Sequence, residues 1–270
     1  MNTRDPRPTQ RLIAEVAEAI AQGDQEGLRP GDQFPTIATF AKQHDISSPT
    51  ASKVVQELKR LGLLSGVAGG KTWVRVPPAP IRRDTRRYHD EKAAVRASEA
   101  ERAARGVSEY DMGIPVRDLY KDQPDYDFID APEDVASLLH IPAGSRVRLI
   151  TYERQHREKA GVSRSYSYVP WELIKANPDL HTPDKEPWAG GMMHQLSTVD
   201  IEVCEIVDHV TAAMPTPDEA RDYDIPPGIP LLRIRKISYD ADGRPVELAD
   251  IPMPADRVEL IFRTPLERWS

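Results

Sequence analysis

The sequence predicts an α+β chain of two domains, helical at the front and built on a mostly antiparallel sheet at the back. Three observations carry this. Apolar residues recur at helical spacing over residues 10–62, whereas strand-like alternation dominates after residue 146. A pattern in the second half comes twice, 84 residues apart. Charge divides along similar lines: residues 1–76 carry a net +2, residues 77–108 a net +3 and residues 109–270 a net -12. A mildly basic front suits a polyanionic partner that the acidic back would repel. The 270 residues suit two domains, and 39% hydrophobic residues are enough for packed cores. The single cysteine, Cys204, excludes an intramolecular disulfide and a Cys-cluster metal site. Apolar runs are too short for a membrane-spanning helix, and the polar Met1 to Pro8 is not a signal peptide. A soluble cytoplasmic protein is expected.

The front domain, residues 1–76, opens with Leu12, Ile13, Val16, Ala17 and Ile20 on one helical face. Arg29-Pro30-Gly31-Asp32 reads as a turn, and Thr36 as the N-cap of a second helix bearing Ile37, Phe40 and Ala41. A third helix is expected to start with Ser48 as N-cap and Pro49 at its first position. Its inner face is Val54, Val55, Leu58 and Leu61, and Gly62 stops it. Short strands around Leu63-Leu64 and Thr72 to Val76 flank a hairpin tip at Ala68 to Lys71. Three helices followed by a hairpin is the element order of a winged helix-turn-helix, whose third helix enters the major groove.

Particular residues sharpen this reading. Leu28-Arg29-Pro30-Gly31-Asp32-Gln33-Phe34-Pro35-Thr36 resembles the signature stretch of the GntR superfamily of bacterial transcription regulators. Phe40-Ala41, Ile46-Ser47, Thr50, Glu57-Leu58, Gly62-Leu63-Leu64, Gly69 and Thr72-Trp73-Val74 fit its later positions. The family usually has arginine where this chain has Ser48 and Ser52, so two donors that read guanine bidentately are missing. The candidate DNA-binding residues are Thr36, Ser48, Pro49, Thr50, Ser52, Lys53, Lys71 and Thr72, weighted toward phosphate contacts from a helix N-terminus, hydroxyls and lysines. Ser65 to Thr72 resembles a phosphate-binding loop, but it has three residues rather than four before Gly70-Lys71-Thr72 and runs into a strand, not a helix.

Residues 77–124 read as a linker. Pro77-Pro78-Ala79-Pro80 is a stiff spacer. Arg82, Arg83, Arg86 and Arg87 are either a solvated basic turn or extra phosphate contacts. Asp90 to Arg105 reads as an exposed or interfacial polar helix.

The back domain, residues 125–270, contains the repeat. Ile141-Pro142-Ala143-Gly144 recurs as Ile225-Pro226-Pro227-Gly228. Each follows a helix-like piece and precedes a long strand, Arg146 to His156 and Leu231 to Tyr239. Each strand meets a turn, Glu158 to Gly161 and Asp240 to Gly243, and returns to Val169-Pro170 or Met253-Pro254. Ile201 to Met214 and Arg257 to Phe262 are further extended runs. Two such halves are expected to form one antiparallel sheet with a ligand cleft where they meet. Ala131-Pro132, Val135-Ala136, Leu139, the repeated motif, Tyr168-x-Pro170 and Gly243 to Glu247 are similar to the UTRA domain of the HutC subfamily, whose fold is like chorismate lyase.

That resemblance implies a homodimeric repressor, released from operator DNA by a small, anionic effector, with no catalytic residues, metal or cofactor. The implied effector site is Arg154 and His156 on one strand, Ser165 and Ser167 on its partner, and Glu247. Alternation puts 154 and 156 on one face, as it does 165 and 167. Arginine is common in the subfamily at the positions of His156 and Pro254, and its loss weakens a phosphosugar as ligand. Two other readings stay open. One is a mobile-element repressor whose back domain only dimerises; the other is a chorismate lyase-like enzyme fused to a DNA-binding domain. No two of the seven histidines stand at the i, i+4 spacing of a metal-binding helix, and no nucleophile elbow occurs.

Overall fold

The structure, a computed structural model, describes residues 8–23, 25–66, 70–78, 80–103, 119–122, 124–156, 162–186 and 188–266, with the backbone only at 103, 119–122, 154–156, 162 and 163. It divides into two compact units. The first comprises residues 1–78 with 214–221 and 225–230; the second comprises 79–213, 222–224 and 231–270.

The first unit contains α1 (Pro8–Gln22), α2 (Ile37–Gln43), α3 (Ser48–Arg60), β1 (Leu64–Ser65) and β2 (Trp73–Val74). Val16 and Ile20, Phe40 and Ala41, and Ala51, Val54, Val55 and Leu58 pack with Leu28, Phe34, Leu64 and Val74 into one core. The expected helical faces therefore meet each other, which orients α2 against α3. Leu61 is the exception: α3 ends at Arg60, so Leu61 is the C-cap and 42% exposed. The start of α3 also differs from expectation. Ser47, not Ser48, is the N-cap: its Oγ accepts the Thr50 N–H at 3.3 Å. The Ala51 N–H that a Ser48 cap would need is already donated to the Ser47 carbonyl at 2.9 Å. Pro49 falls in the first turn, where its missing N–H costs nothing.

The wing is pinned to the turn before α2. The Asp32 carboxylate accepts the N–H groups of Gly27 and Arg29 at 2.9 and 3.1 Å. The Phe34 N–H then donates to the Thr72 carbonyl at 2.9 Å, and Gln33 bridges Trp73. Strand β1 pairs antiparallel with β2. At Gly66 (φ +128°) a Cβ would stand 2.3 Å from the Lys71 carbonyl oxygen, so the hairpin closes only on glycine there. Of the expected tip, Ala68 and Gly69 lie outside the described residues.

The second unit contains β3 (Ile81–Asp84), α4 (Arg86–Ala94), α5 (Glu99–Ala103), β4 (Leu119–Asp122), β5 (Asp125–Asp130), α6 (Glu133–Leu138), β6 (Arg146–His156), β7 (Val162–Pro170), α7 (Trp171–Ile174), α8 (Gly191–Ser197) and β8 (Val203–Ala213). After α9 (Pro217–Asp222) come β9 (Leu231–Asp240), β10 (Pro245–Pro254) and β11 (Val258–Ile261). The main sheet runs β4-β6-β7-β10-β9-β8, with β5 also on β6, and every pair in it is antiparallel. Its central pair is β7 with β10, where Ser167 faces Ala249. The two hairpins of the sequence repeat, β6-β7 and β9-β10, thus meet at the middle of the sheet. The turn expected at Asp240 to Gly243 closes on the Asp240 carboxylate, which accepts the N–H groups of Asp242 and Arg244. The one expected at Glu158 to Gly161 lies outside the described residues.

Two segments differ from the sequence reading. Strand β11 does not join the main sheet but pairs in parallel with β3, Val258 opposite Ile81 through Ile261 opposite Asp84. Helix α4 is amphipathic in an unusual way: its inward residues are Arg87, Glu91 and Ala94. Residues 81–94 are therefore built into the second unit rather than forming a free spacer. Arg83 and Arg87 are buried, and Arg82 pairs with Glu259 at 2.9 Å, so these three are not free basic groups.

Candidate functional site

Two sets of candidate residues fall on separate units. In the first unit, Ser48, Pro49 and Lys53 are exposed along the start of α3, with Thr50 and Ser52 half-buried beside them. Thr50 shares its hydroxyl with the capping Ser47 at 2.9 Å. Thr36 caps α2: its Oγ1 accepts the Thr39 N–H at 3.2 Å and lies 2.8 Å from the Thr39 hydroxyl. Lys71 is exposed on the wing and Thr72 is half-buried, its carbonyl spent on Phe34. Trp73 is 41% exposed beside them, an aromatic at the wing that the sequence reading did not count. These side chains offer hydroxyls and ammonium groups on a helix-turn-helix and wing, which is the donor set that duplex DNA phosphates accept from.

In the second unit the sheet has two covered faces. One packs on α6 through Val135, Ala136, Leu139, Val147, Ile237 and Leu248 and is apolar. The other carries a polar cluster. Register places Arg148 beside Val169, Ile150 beside Ser167, and Tyr152 beside Ser165. Ser167 faces Ala249, which faces Lys236, and Glu247 faces Ser238. The predicted Ser165, Ser167 and Glu247 are therefore on one face. The backbone of Arg154 and His156 belongs to β6, two and four residues beyond Tyr152 in the same alternation.

Glu247 is the centre of the cluster and is 3% exposed. Its Oε1 accepts from the Ser167 hydroxyl at 3.0 Å; its Oε2 accepts from Ser238 Oγ and Lys236 Nζ, each at 2.8 Å. Burial alone would push this carboxyl up, but Lys236 and the two hydroxyls outweigh it and hold it below its ordinary range. Burial likewise opposes the charge on Lys236, and Glu247 and Glu91 together hold it above its usual value. Glu91, from α4, accepts the Met193 N–H at 3.2 Å; burial pushes its carboxyl up, and Lys236 offsets only part of that. Tyr88, one turn earlier on α4, donates to Asp208 on β8 at 2.8 Å.

A second buried group adjoins this one. Arg148 is fully buried; its guanidinium donates to the Leu180 carbonyl and to Gln195 Oε1, both at 2.8 Å. It lies 5.1 Å from the centre of the Tyr126 ring, and its Nε has no hydrogen-bond partner among the described residues. Tyr126 and Gln195 both donate to Glu186, at 2.6 and 3.1 Å. Sequence reasoning missed Lys236, Ser238, Arg148 and Glu91. The alternation Ile234, Lys236, Ser238 was available as a signal, since it puts a lysine in line with apolar and hydroxyl residues.

A cavity of about 760 Å³ lies elsewhere in the second unit, lined by His89, Lys92, Arg96, Met193, Asp200 and Glu202 among others. Within its lining Lys92 and Glu202 pair with each other at 2.9 Å. The polar groups around Glu247, by contrast, are buried and converge on one carboxylate. Among the described residues no group of three or more His, Cys, Asp or Glu is placed to hold a metal ion. No helix among them is long and apolar enough to cross a membrane.

This pairing of a helix-turn-helix unit with a repeat-built antiparallel sheet defines a class of two-part regulators. The chain belongs to the UTRA domain family, whose sequence model matches residues 125–259. Along its length the chain is similar to an uncharacterised HTH-type transcriptional regulator of Streptomyces coelicolor, 26% identical over 90% of this chain and 87% of the relative. It is also similar to the HTH-type transcriptional repressor NagR of Bacillus subtilis, 22% identical over 97% of this chain and 96% of NagR. Among solved structures, a GntR-family transcriptional regulator shares its fold with a TM-score of 0.67 and 22% identity, covering 97% of this chain and 98% of that one.

Proposed function

We propose that this protein is a DNA-binding transcription repressor, acting as a homodimer in the cytoplasm, that a small anionic effector releases from operator DNA. The observation that carries the reading is the union, in one chain, of two features. The first is an exposed helix start and wing bearing Ser48, Lys53 and Lys71. The second is a UTRA sheet with a buried, hydroxyl-rich polar face. The repressor NagR, similar over nearly the whole chain, supports it.

In this reading the DNA contacts come from Thr36, Ser48, Pro49, Thr50, Ser52, Lys53, Lys71 and Thr72. The effector is held by Arg154, His156, Ser165 and Ser167. Glu247 holds Ser167 and Lys236 in place and meets the effector's hydroxyl or amine end when one of those donors is displaced. An arginine with two hydroxyls suits a carboxylate or phosphate. A ligand there changes DNA affinity only by the difference in its affinity for two arrangements of the protein. The test is a duplex selected from a random-sequence library by the protein, followed by a metabolite screen for release of that duplex. Failure to select any duplex refutes the DNA reading; selection with no releasing metabolite and no metabolite-induced thermal shift refutes the effector reading.

A further inference from the structure

The repeated isoleucine-proline-x-glycine motif ends in two glycines with different surroundings. Gly144 has φ +74°, and a Cβ added there meets nothing within 4 Å. Gly228 has φ +82°, and a Cβ added there would stand 1.8 Å from the Arg60 carbonyl oxygen and 2.8 Å from the Gly62 nitrogen. Both turns need the left-handed backbone region, but only the second also needs the absence of a side chain. The fit is reciprocal. Gly62, with φ +72° just past the end of α3, would carry a Cβ 2.8 Å from Ile229 Cδ1 and 3.3 Å from the Pro227 carbonyl oxygen. Two left-handed glycine turns thus interlock, with the end of Ile229 over Gly62. The seat is packing rather than capping, since the Gly62 N–H already donates to Lys59 and the Leu63 N–H to Leu58.

The segment that makes this seat leaves β8 at Ala213 and rejoins the sheet at Leu231. Residues 214–221 and 225–230 belong to the first unit, and 222–224 to the second. Within the second unit Arg257 donates to the carbonyls of Tyr223 and Asp224, and the Arg164 guanidinium lies 5.8 Å from the centre of the Tyr223 ring. One excursion of the chain therefore has anchored residues in each unit.

We infer that residues 214–230 are the positioning element of the DNA-reading helix, and that Gly228, Gly62 and Ile229 form the seat that holds the end of α3. The first copy of the motif has no such task. The inference rests on the reading of the first unit as the DNA-binding part and adds the segment that holds the end of α3 within that unit.

The test compares Gly228→Ala with Gly144→Ala in the full chain, a pair matched for the backbone strain of a left-handed alanine. Hydrogen exchange is followed in peptides covering 59–64 and 231–240, and affinity is measured for the library-selected duplex. Gly228→Ala is expected to speed exchange over 59–64 by at least ~10-fold, leaving 231–240 unchanged. Its duplex affinity is expected to fall at least ~5-fold, because a helix no longer held must be ordered on binding. Gly144→Ala is expected to change neither. Equal behaviour of the two variants overturns the inference. If Gly228→Ala also loosens 231–240, Ile229→Ala decides, since it keeps both glycines and removes only the chain over Gly62. Faster exchange over 59–64 supports the seat, and unchanged exchange overturns it. If the wild type selects no duplex, the DNA reading falls, and the exchange arm still decides the seat.

Discussion

Replacing Lys236 by methionine is the sharpest probe of the polar face, because the consequence follows from three distances. Lys236 Nζ stands 2.8 Å from Glu247 Oε2, with the two side chains 12% and 3% exposed. Removing one partner of a buried pair costs about 3–5 kcal/mol, chiefly because the other charge is left buried. Here the hydroxyls of Ser238 and Ser167 remain on the carboxylate at 2.8 and 3.0 Å, which favours the lower end, about 3 kcal/mol. A domain's stability is about 5–15 kcal/mol, so the variant stays folded and measurable. Glu247→Gln costs less, because the amide keeps an oxygen that accepts from Lys236 where the carboxylate did. The double variant should then recover about 2 kcal/mol relative to the sum of the singles.

The pH dependence has a definite sign. In the wild type the Glu247 carboxyl lies below its ordinary value of 4.5, so its contribution is present above that pH and lost on acidification. Without Lys236 the carboxyl loses the strongest influence that lowers it and rises, so the deficit of Lys236→Met is full at pH 7 and shrinks as pH falls. Urea unfolding of the four proteins at pH 7 and pH 5 reads both effects. Additive single and double variants, or a deficit that grows on acidification, would refute the reasoning.

Lys53→Ala and Lys71→Ala should each weaken binding to the selected duplex and lower the salt slope by about 0.9 for each phosphate no longer neutralised; unchanged affinity and slope would mean neither touches DNA. Glu91 is held above its ordinary 4.5 by burial, so the carboxyl's contribution is fully present below that value and lost as pH rises through its folded value. Glu91→Gln should therefore be more stable than wild type at pH 7 in urea unfolding, with the advantage vanishing toward pH 4. A constant difference across pH would show that Glu91 does not titrate in this range.

The front of the chain was legible because its signals are local. Caps, a proline in the first turn, Gly62 and apolar spacing act over a few residues, and the expected faces met in one core. The error at Ser47 is of one residue and arises from two adjacent serines, either of which caps until the Ala51 N–H is assigned. In the back domain the repeat exposed the paired hairpins for the same reason. What stayed hidden is set by interactions distant in sequence. Arg233, Arg235 and Lys236 look alike in one strand, yet Arg235 pairs with Asp250 and Asp134 on one side while Lys236 is buried against Glu247 on the other. Helix α4 reads as a polar linker because its inward residues are Arg87 and Glu91, whose burial only the sheet beneath them explains. The pairing of β11 with β3 joins residues about 177 positions apart and has no sequence period to announce it.

The central claim is that an anion on the polar sheet face controls the DNA-binding unit, and Arg154→Ala tests it most directly. The probe is a carboxylate or phosphate metabolite that raises the wild-type unfolding midpoint and releases the selected duplex. Arg154→Ala, folded by circular dichroism, is expected to keep wild-type duplex affinity and to need roughly ten- to a hundredfold more of that metabolite for release. That range follows from removing one charge-assisted hydrogen bond, about 1.5–3 kcal/mol. Release of Arg154→Ala at the wild-type metabolite concentration would contradict it and move the effector off this strand.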